Sequence, residues 1–392
     1  MTENNSRNIS RTKVVVIGGG YAGTLAANHL QVRDDVDVTL VNPRPVFVQR
    51  IRLHQHVAGT GSATVDYSQL LHERVRLVVD EATVVDAAGR RVKLASGKTL
   101  RYDYLIYAVG STGSVPAVAG AEYALGIAEY EASDRLRVRL ANIGADAPIC
   151  VVGGGLTGIE TAAELAENRP SVTLVCGGQL GPSLSDAGRR SVARQLARLG
   201  VTVVESGVVT EVRPDSVALS DGRELPSALT IWTAGFGVPR LAAASGLSTD
   251  EMGRLLTDET LTSVDDPRII AAGDAAAPSG QPLRMSCQAA MPLGAQAANT
   301  VLSRIAGEEP APISQAFVAQ CISLGRSLGT FQVTRSDDTP RRLYIGGRSA
   351  AKIKEFICAG TVKYLAKEGR KPGSFVWLRG GKRGVREAVS VS

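Results

Sequence analysis

Short apolar runs rich in β-branched residues alternate along the chain with segments whose apolar residues recur at helical spacing. Lys13-Val-Val-Val-Ile17 is one such run and predicts a strand. It stops at Gly18-Gly-Gly-Tyr-Ala-Gly23. Thr24 to Gln31 then reads as a helix, and Val36 to Val41 as the next strand. The same grammar returns downstream. Ile149 to Val152 reads as a strand, Gly153, Gly155 and Gly158 follow, then a helix from Ile159 to Glu167 and a strand from Val172 to Val175. Between the two units, Val75 to Val79, Thr83 to Asp86 and Arg91 to Leu94 predict short strands, with turns at Ala88-Gly89 and Ser96-Gly97. That stretch ends in Tyr102 to Gly110. A similar succession follows the second unit: Val201 to Glu205, Val217 to Leu219 and Leu229 to Gly235. A last apolar run from Arg268 leads into Gly273-Asp274.

Gly18, Gly20 and Gly23 stand in GxGxxG spacing after a strand and before a helix. Gly18 permits the tight turn, Gly20 lets the backbone approach a pyrophosphate, and Gly23 lets helix and strand pack closely. The amides of Tyr21 and Ala22 sit at the positive end of the helix, where they face a phosphate. Gly153, Gly155 and Gly158 repeat the logic for a second dinucleotide. The pattern predicts an α/β fold of two Rossmann-like domains, the second inserted into the first, plus a small C-terminal region. The expected bounds are 11–115 and 256–325, then 116–255, then 326–392. The ribose position after the second strand, usually acidic, holds Asn42 in the first unit and Cys176 in the second. Asn42 reads as a ribose ligand or as a turn residue before Pro43. With no carboxylate at Cys176, and Arg189 and Arg190 only further on, NADH and NADPH both stay open as the donor.

Composition narrows the classes. Of 392 residues, 44% are hydrophobic and 21% charged, which excludes a disordered chain. No apolar stretch reaches the roughly 18 residues of a membrane span. The polar N-terminus lacks an apolar core, so a cytoplasmic protein is expected. The net charge is +6, yet Arg341 to Ser392 alone carries 13 Lys and Arg against 3 Glu. A body of slightly negative charge therefore bears a basic C-terminal region. Five cysteines, none at short spacing, argue against a disulfide framework, a dithiol centre or a zinc site. No cluster has metal-ligand spacing, and no nucleic-acid motif is present.

The two glycine loops, Ala108-Val-Gly110, Thr233-Ala-Gly235 and Gly273-Asp274, in this order, resemble the two-domain flavoproteins of the pyridine nucleotide–disulfide reductase fold. The resemblance implies FAD in the first unit and NAD(P)H in the inserted one. It assigns Gly18, Gly20, Tyr21, Ala22, Gly23, Asn42, Val84, Ala108, Gly110, Gly273, Asp274 and Gln288 to FAD. It assigns Gly153, Gly155, Gly158, Glu160, Cys176 and Gly235 to the nicotinamide nucleotide. The stretch Arg44 to Gly59, where thiol-using members carry their cysteines, has none. What remains is similar to the type II NADH dehydrogenases and apoptosis-inducing-factor-like quinone reductases. Gln288 matches a glutamine beside flavin and quinone in that branch, with Cys287 in place of its alanine and Met291-Pro292 in place of a polar pair. Glu160 matches a glutamate near the nicotinamide, so Glu160 and Gln288 are the expected catalytic residues.

Glu164, four residues on, is expected on the helix surface. His54 and His56 read mainly as surface or packing residues. Ile353, Phe356, Ile357, Gly360 and Tyr364 recur at helical spacing among lysines. Such a basic amphipathic helix lies on a membrane, docks on its own body, or meets a second subunit of a homodimer. The expected reaction passes hydride from NAD(P)H to FAD and two electrons to a quinone or other small redox acceptor. Alternatives are a ferredoxin-type protein acceptor, a small organic substrate, or a slow-turnover flavin-binding sensor.

Overall fold

The computed structural model describes residues 11–114 and 116–381. Its first sheet has five parallel strands in the order Ile269–Ala271, Tyr104–Tyr107, Thr12–Ile17, Val36–Asn42 and Arg76–Val79. Val14 to Ile17 are buried, as befits a strand covered on both faces. The second sheet runs Ala124–Gly126, Leu229–Trp232, Ile149–Val152, Val172–Val175 and Thr202–Val204, again all parallel. In both sheets the strand before the glycine loop is central. A three-stranded antiparallel meander accompanies each: Ala82–Asp86, Arg91–Leu94 and Thr99–Arg101, then Val209–Val212, Ser216–Leu219 and Glu224–Pro226.

The chain enters and leaves the inserted unit through a two-strand clasp. Thr112–Gly113 pairs antiparallel with Phe236–Gly237. The return lies upstream of the expected bound at 255. Ala242, Leu247 and Leu255 already belong to the core of the first domain, and Ala242 N–H donates to Tyr107 Oη at 3.1 Å. The C-terminal region also begins earlier than 326. Ala319–Leu324 pairs with Leu328–Thr334, which pairs with Pro340–Gly346. Apolar alternation alone does not say which sheet a strand joins, so both bounds slipped.

A 24-residue helix, Gly347–Arg370, is the last helix among the described residues. It docks on its own body, but not through the stripe read from sequence. Ala350, Cys358, Thr361, Leu365 and Glu368 are buried, and Lys354 shares their face. Glu368 Oε1 lies 2.7 Å from His29 Nδ1 on the first helix, Tyr21–His29, and accepts from Gly373 N–H at 2.7 Å. Phe356 and Tyr364 remain exposed. Residues 382–392 of the basic region lie outside the described residues.

Candidate active site

Both glycine loops have the geometry their spacing demands. Gly18 has φ +101° and Gly153 φ +125°, conformations that favour glycine. A Cβ on Gly18 would strike the Ala108 carbonyl, and one on Gly23 the Gly18 carbonyl. Gly158 abuts the Gly153 carbonyl in the same way. By contrast, a Cβ on Gly20 or Gly155 meets nothing within 4 Å. These glycines open the helices Tyr21–His29 and Leu156–Ala166, and neither helix start has a side-chain cap or an acidic residue in its first turn. Free N–H groups thus face open space twice, which fits two dinucleotide phosphates.

The first loop is braced from both sides. Asn42 Oδ1 accepts from Gly19 N–H at 2.9 Å, and its Nδ2 donates to the Arg44 carbonyl at 2.8 Å. Asn42 therefore holds the loop, and its amide is already spent on the backbone. Tyr67 Oη donates to the Gly19 carbonyl at 2.6 Å, a brace that no spacing rule announces. Gly273, at φ +73°, packs on Ala22, and Asp274 beside it accepts from Ser111 Oγ at 2.7 Å. Arg50 donates to Ser111 Oγ at 2.8 Å, so a charged chain Arg50–Ser111–Asp274 lines this end of the first sheet. Gly110 has φ +72° in open space, while Gly235, at φ +78°, abuts Ser114 near the clasp. Val84 is half-buried in the meander strand Ala82–Asp86.

In the inserted domain Cys176 packs on Gly154 at the end of its strand. Glu205, after the neighbouring strand, accepts from Leu180 N–H at 2.8 Å. Burial, with the Glu205 charge adding to it, pushes the Cys176 thiol up to about 12. Arg189 is engaged with Asp186 at 3.1 Å and does not reach back to this edge through any recorded contact.

Glu160 sits at a junction of three parts of the chain. It lies on the helix Leu156–Ala166 and is only 8% exposed. Its Oε1 accepts from Lys354 Nζ at 2.8 Å and from Ser323 N–H at 2.9 Å. His54 Nδ1 lies 3.9 Å from its Oε2, and His54 Nε2 lies 3.1 Å from Ser323 Oγ. Lys354 also donates to the Cys321 carbonyl at 3.1 Å. Burial pushes the Glu160 carboxyl up, but the Lys354 ammonium and His54 outweigh it and hold it below its ordinary value. Burial pulls Lys354 down, and the Glu160 charge reverses that, leaving it above its ordinary value. At His54 burial wins, and the imidazole falls to about 4. At neutral pH the cluster is therefore a carboxylate, an ammonium and a neutral imidazole around one hydroxyl.

One reading changes here and another narrows. Glu164 is not on the surface: it is fully buried, bonded to Thr60 with Arg326 at 4.0 Å, and burial raises its pKa. Of the surface and packing alternatives for His54 and His56, the structure has packing. Both are buried, and His56 Nε2 lies 2.6 Å from Asp134. The structure brings Glu160 and Gln288 to the same C-terminal sheet by different routes. With its amide oriented to satisfy both ends, Gln288 donates to the Ala319 carbonyl at 3.1 Å and accepts from Val318 N–H at 3.0 Å. Gln288 thus splices the helix Cys287–Ala306 to the strand that carries Ser323. Burial pushes the Cys287 thiol up to about 11 and Cys321 up to about 12, so neither is a thiolate at neutral pH.

The model of the family described as pyridine nucleotide-disulphide oxidoreductase matches residues 12–294. The chain belongs to that family. A pyridine nucleotide-disulphide oxidoreductase of this kind is an enzyme that works with FAD and a nicotinamide nucleotide, and the two open glycine cradles fit both groups. The chain is 33% identical over 323 residues to the NADH dehydrogenase-like protein MT1860 of Mycobacterium tuberculosis, covering 74% of this chain and 80% of that one. It is 28% identical over 397 residues to the type II NADH:quinone oxidoreductase of Staphylococcus epidermidis, covering 88% and 94%. Its fold matches the sulfide:quinone oxidoreductase of Aquifex aeolicus with a TM-score of 0.79 at 19% identity, over 92% and 93% of the two chains.

Proposed function

We propose that this oxidoreductase is an NADH:quinone reductase of the type II NADH dehydrogenase kind. The observation that carries the reading is the buried Glu160–Lys354 pair with Ser323 and His54. Reducing a quinone consumes two protons along with two electrons, so the acceptor side needs groups that hold and pass protons. The Lys354 ammonium, the Ser323 hydroxyl and the neutral His54 carry exchangeable protons around the Glu160 carboxylate, which accepts from Lys354 and Ser323, whereas the nearby Cys321 thiol stays un-ionised at neutral pH. FAD, when bound, accepts hydride from the nicotinamide and passes electrons onward. The protein's own share is to cradle phosphates on the Gly20 and Gly155 amides, orient the two ligands, and keep Glu160 charged. The relatives named for NADH and quinone support the same assignment.

NADH is the proposed donor. Glu205 places a negative charge beside Cys176 at the ribose edge, where a 2′-phosphate would meet repulsion. Membrane contact is the proposed location of the reaction. Leu343, Phe356, Tyr364, Val376 and Leu378 are exposed on the C-terminal part, among Lys352, Lys363 and Lys367. This is the composition of a face that rests on an anionic bilayer. No helix among the described residues is long and apolar enough to cross a membrane.

The test is anaerobic mixing of the FAD-loaded protein with NADH or NADPH, followed by a short-chain quinone. NADH bleaches the flavin faster than NADPH, and the quinone restores the colour. Bleaching without recovery by quinone defeats the acceptor assignment and leaves a protein acceptor steered by the basic region. Absence of bleaching by either nucleotide leaves the flavin-binding sensor.

A further inference from the structure

One arginine joins the first glycine cradle to the inserted domain. Arg50 is half-buried, just after the strand Val46–Val48. Its Nη1 donates to the Ser111 carbonyl and to Ser111 Oγ, each at 2.8 Å, and its Nε donates to the Ala128 carbonyl at 3.1 Å. Ser111 immediately precedes the clasp strand Thr112–Gly113, through which the chain enters the inserted unit. Ala128 lies between the strand Ala124–Gly126 and the helix Tyr130–Ala141 of that unit. All three acceptors are uncharged oxygens, so the charge of Arg50 is left to act on what lies beyond them.

The direction of these bonds is forced. A guanidinium only donates, so Arg50 occupies a lone pair of Ser111 Oγ. The one proton of that hydroxyl then goes to Asp274 Oδ2, at 2.7 Å. Asp274 follows Gly273, which packs on Ala22 at the opening of the first cradle. Asp274 is half-buried, and its Oδ1 accepts from no described residue and is not sealed off. One carboxylate oxygen is thus fixed and the other is left for a ligand. The negative charge of Asp274 opposes the phosphates of a dinucleotide in that cradle, and the Arg50 charge, one hydroxyl away, offsets it.

We infer that Arg50 is a positioning residue that ties the FAD cradle to the inserted domain. Through Ser111 it aims Asp274 at FAD and offsets the charge of that carboxylate. Through Ala128 it holds the inserted domain, and with it the nicotinamide, in register with the same cradle. Gly113 N–H donates to Glu129 Oε1 at 2.8 Å beside Ala128, which braces the join at a second point. The inference rests on FAD and a nicotinamide nucleotide as the two ligands, and not on the identity of the electron acceptor.

The experiment uses the full-length, FAD-loaded protein. It is diluted serially, and FAD release is followed by flavin fluorescence. Arg50→Met weakens FAD retention about tenfold, and Ser111→Ala, which keeps every backbone bond, does nearly the same. In an Asp274→Asn background Arg50→Met adds less than about a twofold further loss, because the two residues act through one chain. With FAD kept saturating, NADH at saturation bleaches the flavin of Arg50→Met about tenfold more slowly, while the Kd for NADH is unchanged, since the Gly153–Gly158 loop is untouched. Arg50→Lys keeps the charge without the fork: it retains FAD and still bleaches slowly. An equal loss of FAD from Arg50→Met with and without Asp274→Asn, or full retention in Ser111→Ala, overturns the link to Asp274. Bleaching at the wild-type rate in both Arg50 variants overturns the link to the inserted domain. FAD release needs neither NADH nor quinone, so this failure is distinct from a failure of the quinone assignment.

Discussion

Glu160 owes its charge to a side chain nearly two hundred residues away. Lys354→Met keeps the bulk of that side chain and removes the ammonium. A buried carboxylate that loses its partner costs about 3–5 kcal/mol. The folded pKa of Glu160 then rises above its unfolded value, so the deficit grows with pH above roughly 4.3. Urea unfolding at pH 5 and pH 8 reads this directly: the variant loses more at pH 8, and an equal loss at both would show that Lys354 merely fills space. His54 works in the opposite sense to a salt-bridged histidine. Its folded pKa, about 4, lies below the ordinary 6.5. The unfolded chain therefore takes up the proton first, and stability falls as pH drops from about 6.5 towards 4, by up to about 3 kcal/mol. His54→Gln removes this share, so its stability against pH is flatter over that window than that of wild type. Parallel curves for the two proteins would contradict the assignment.

At the scale of elements, the glycine loops were legible because their constraint is local. Three glycines between a strand and a helix state their geometry within six residues, and the structure has that geometry twice. The two classes of glycine predict different lesions. Gly158→Ala forces a methyl onto the Gly153 carbonyl, so the inserted domain loses about 1–3 kcal/mol. Gly155→Ala places its methyl in open space, folds normally, and weakens the nucleotide by filling the approach of the pyrophosphate. Thermal melts and NADH titration separate the two, and a normal melt for Gly158→Ala would be the contrary result. The last helix was read less well, for a physical reason. Its docking face contains Lys354 and Glu368, which pattern rules send to solvent, while apolar Phe356 points outward. Each of these charges is buried only because a partner far along the chain, Glu160 or His29, awaits it. The same blindness hid Glu164, whose neighbours Thr60 and Arg326 are remote in sequence.

Over the whole molecule, the parallel sheets and the nested order followed from a pattern repeated along the chain, whereas the site is built from pairings across it. Helix Leu156–Ala166 supplies Glu160, the segment at His54 comes from the first domain, and the C-terminal part brings Ser323 and Lys354. The outward face of that C-terminal part carries its own prediction. Phe356→Glu reduces co-sedimentation with phosphatidylglycerol-containing vesicles several-fold and leaves NADH-driven reduction of soluble short-chain quinone unchanged. Equal sedimentation would remove the bilayer from the account. The clasp between Thr112–Gly113 and Phe236–Gly237 has a consequence for how such a chain can be edited. Because the two crossings are neighbours, the nested unit begins and ends at one place in space. Joining those ends demands almost no loop-closure entropy, and closing the gap left in the host demands as little. The nested unit is thus a cassette, open to exchange with a counterpart of different nucleotide preference at the cost of re-matching its contacts with the rest of the chain, among them those that Glu160 makes with Ser323 and Lys354, Glu164 with Thr60, Asp134 with His56 and Ser185 with Gln332.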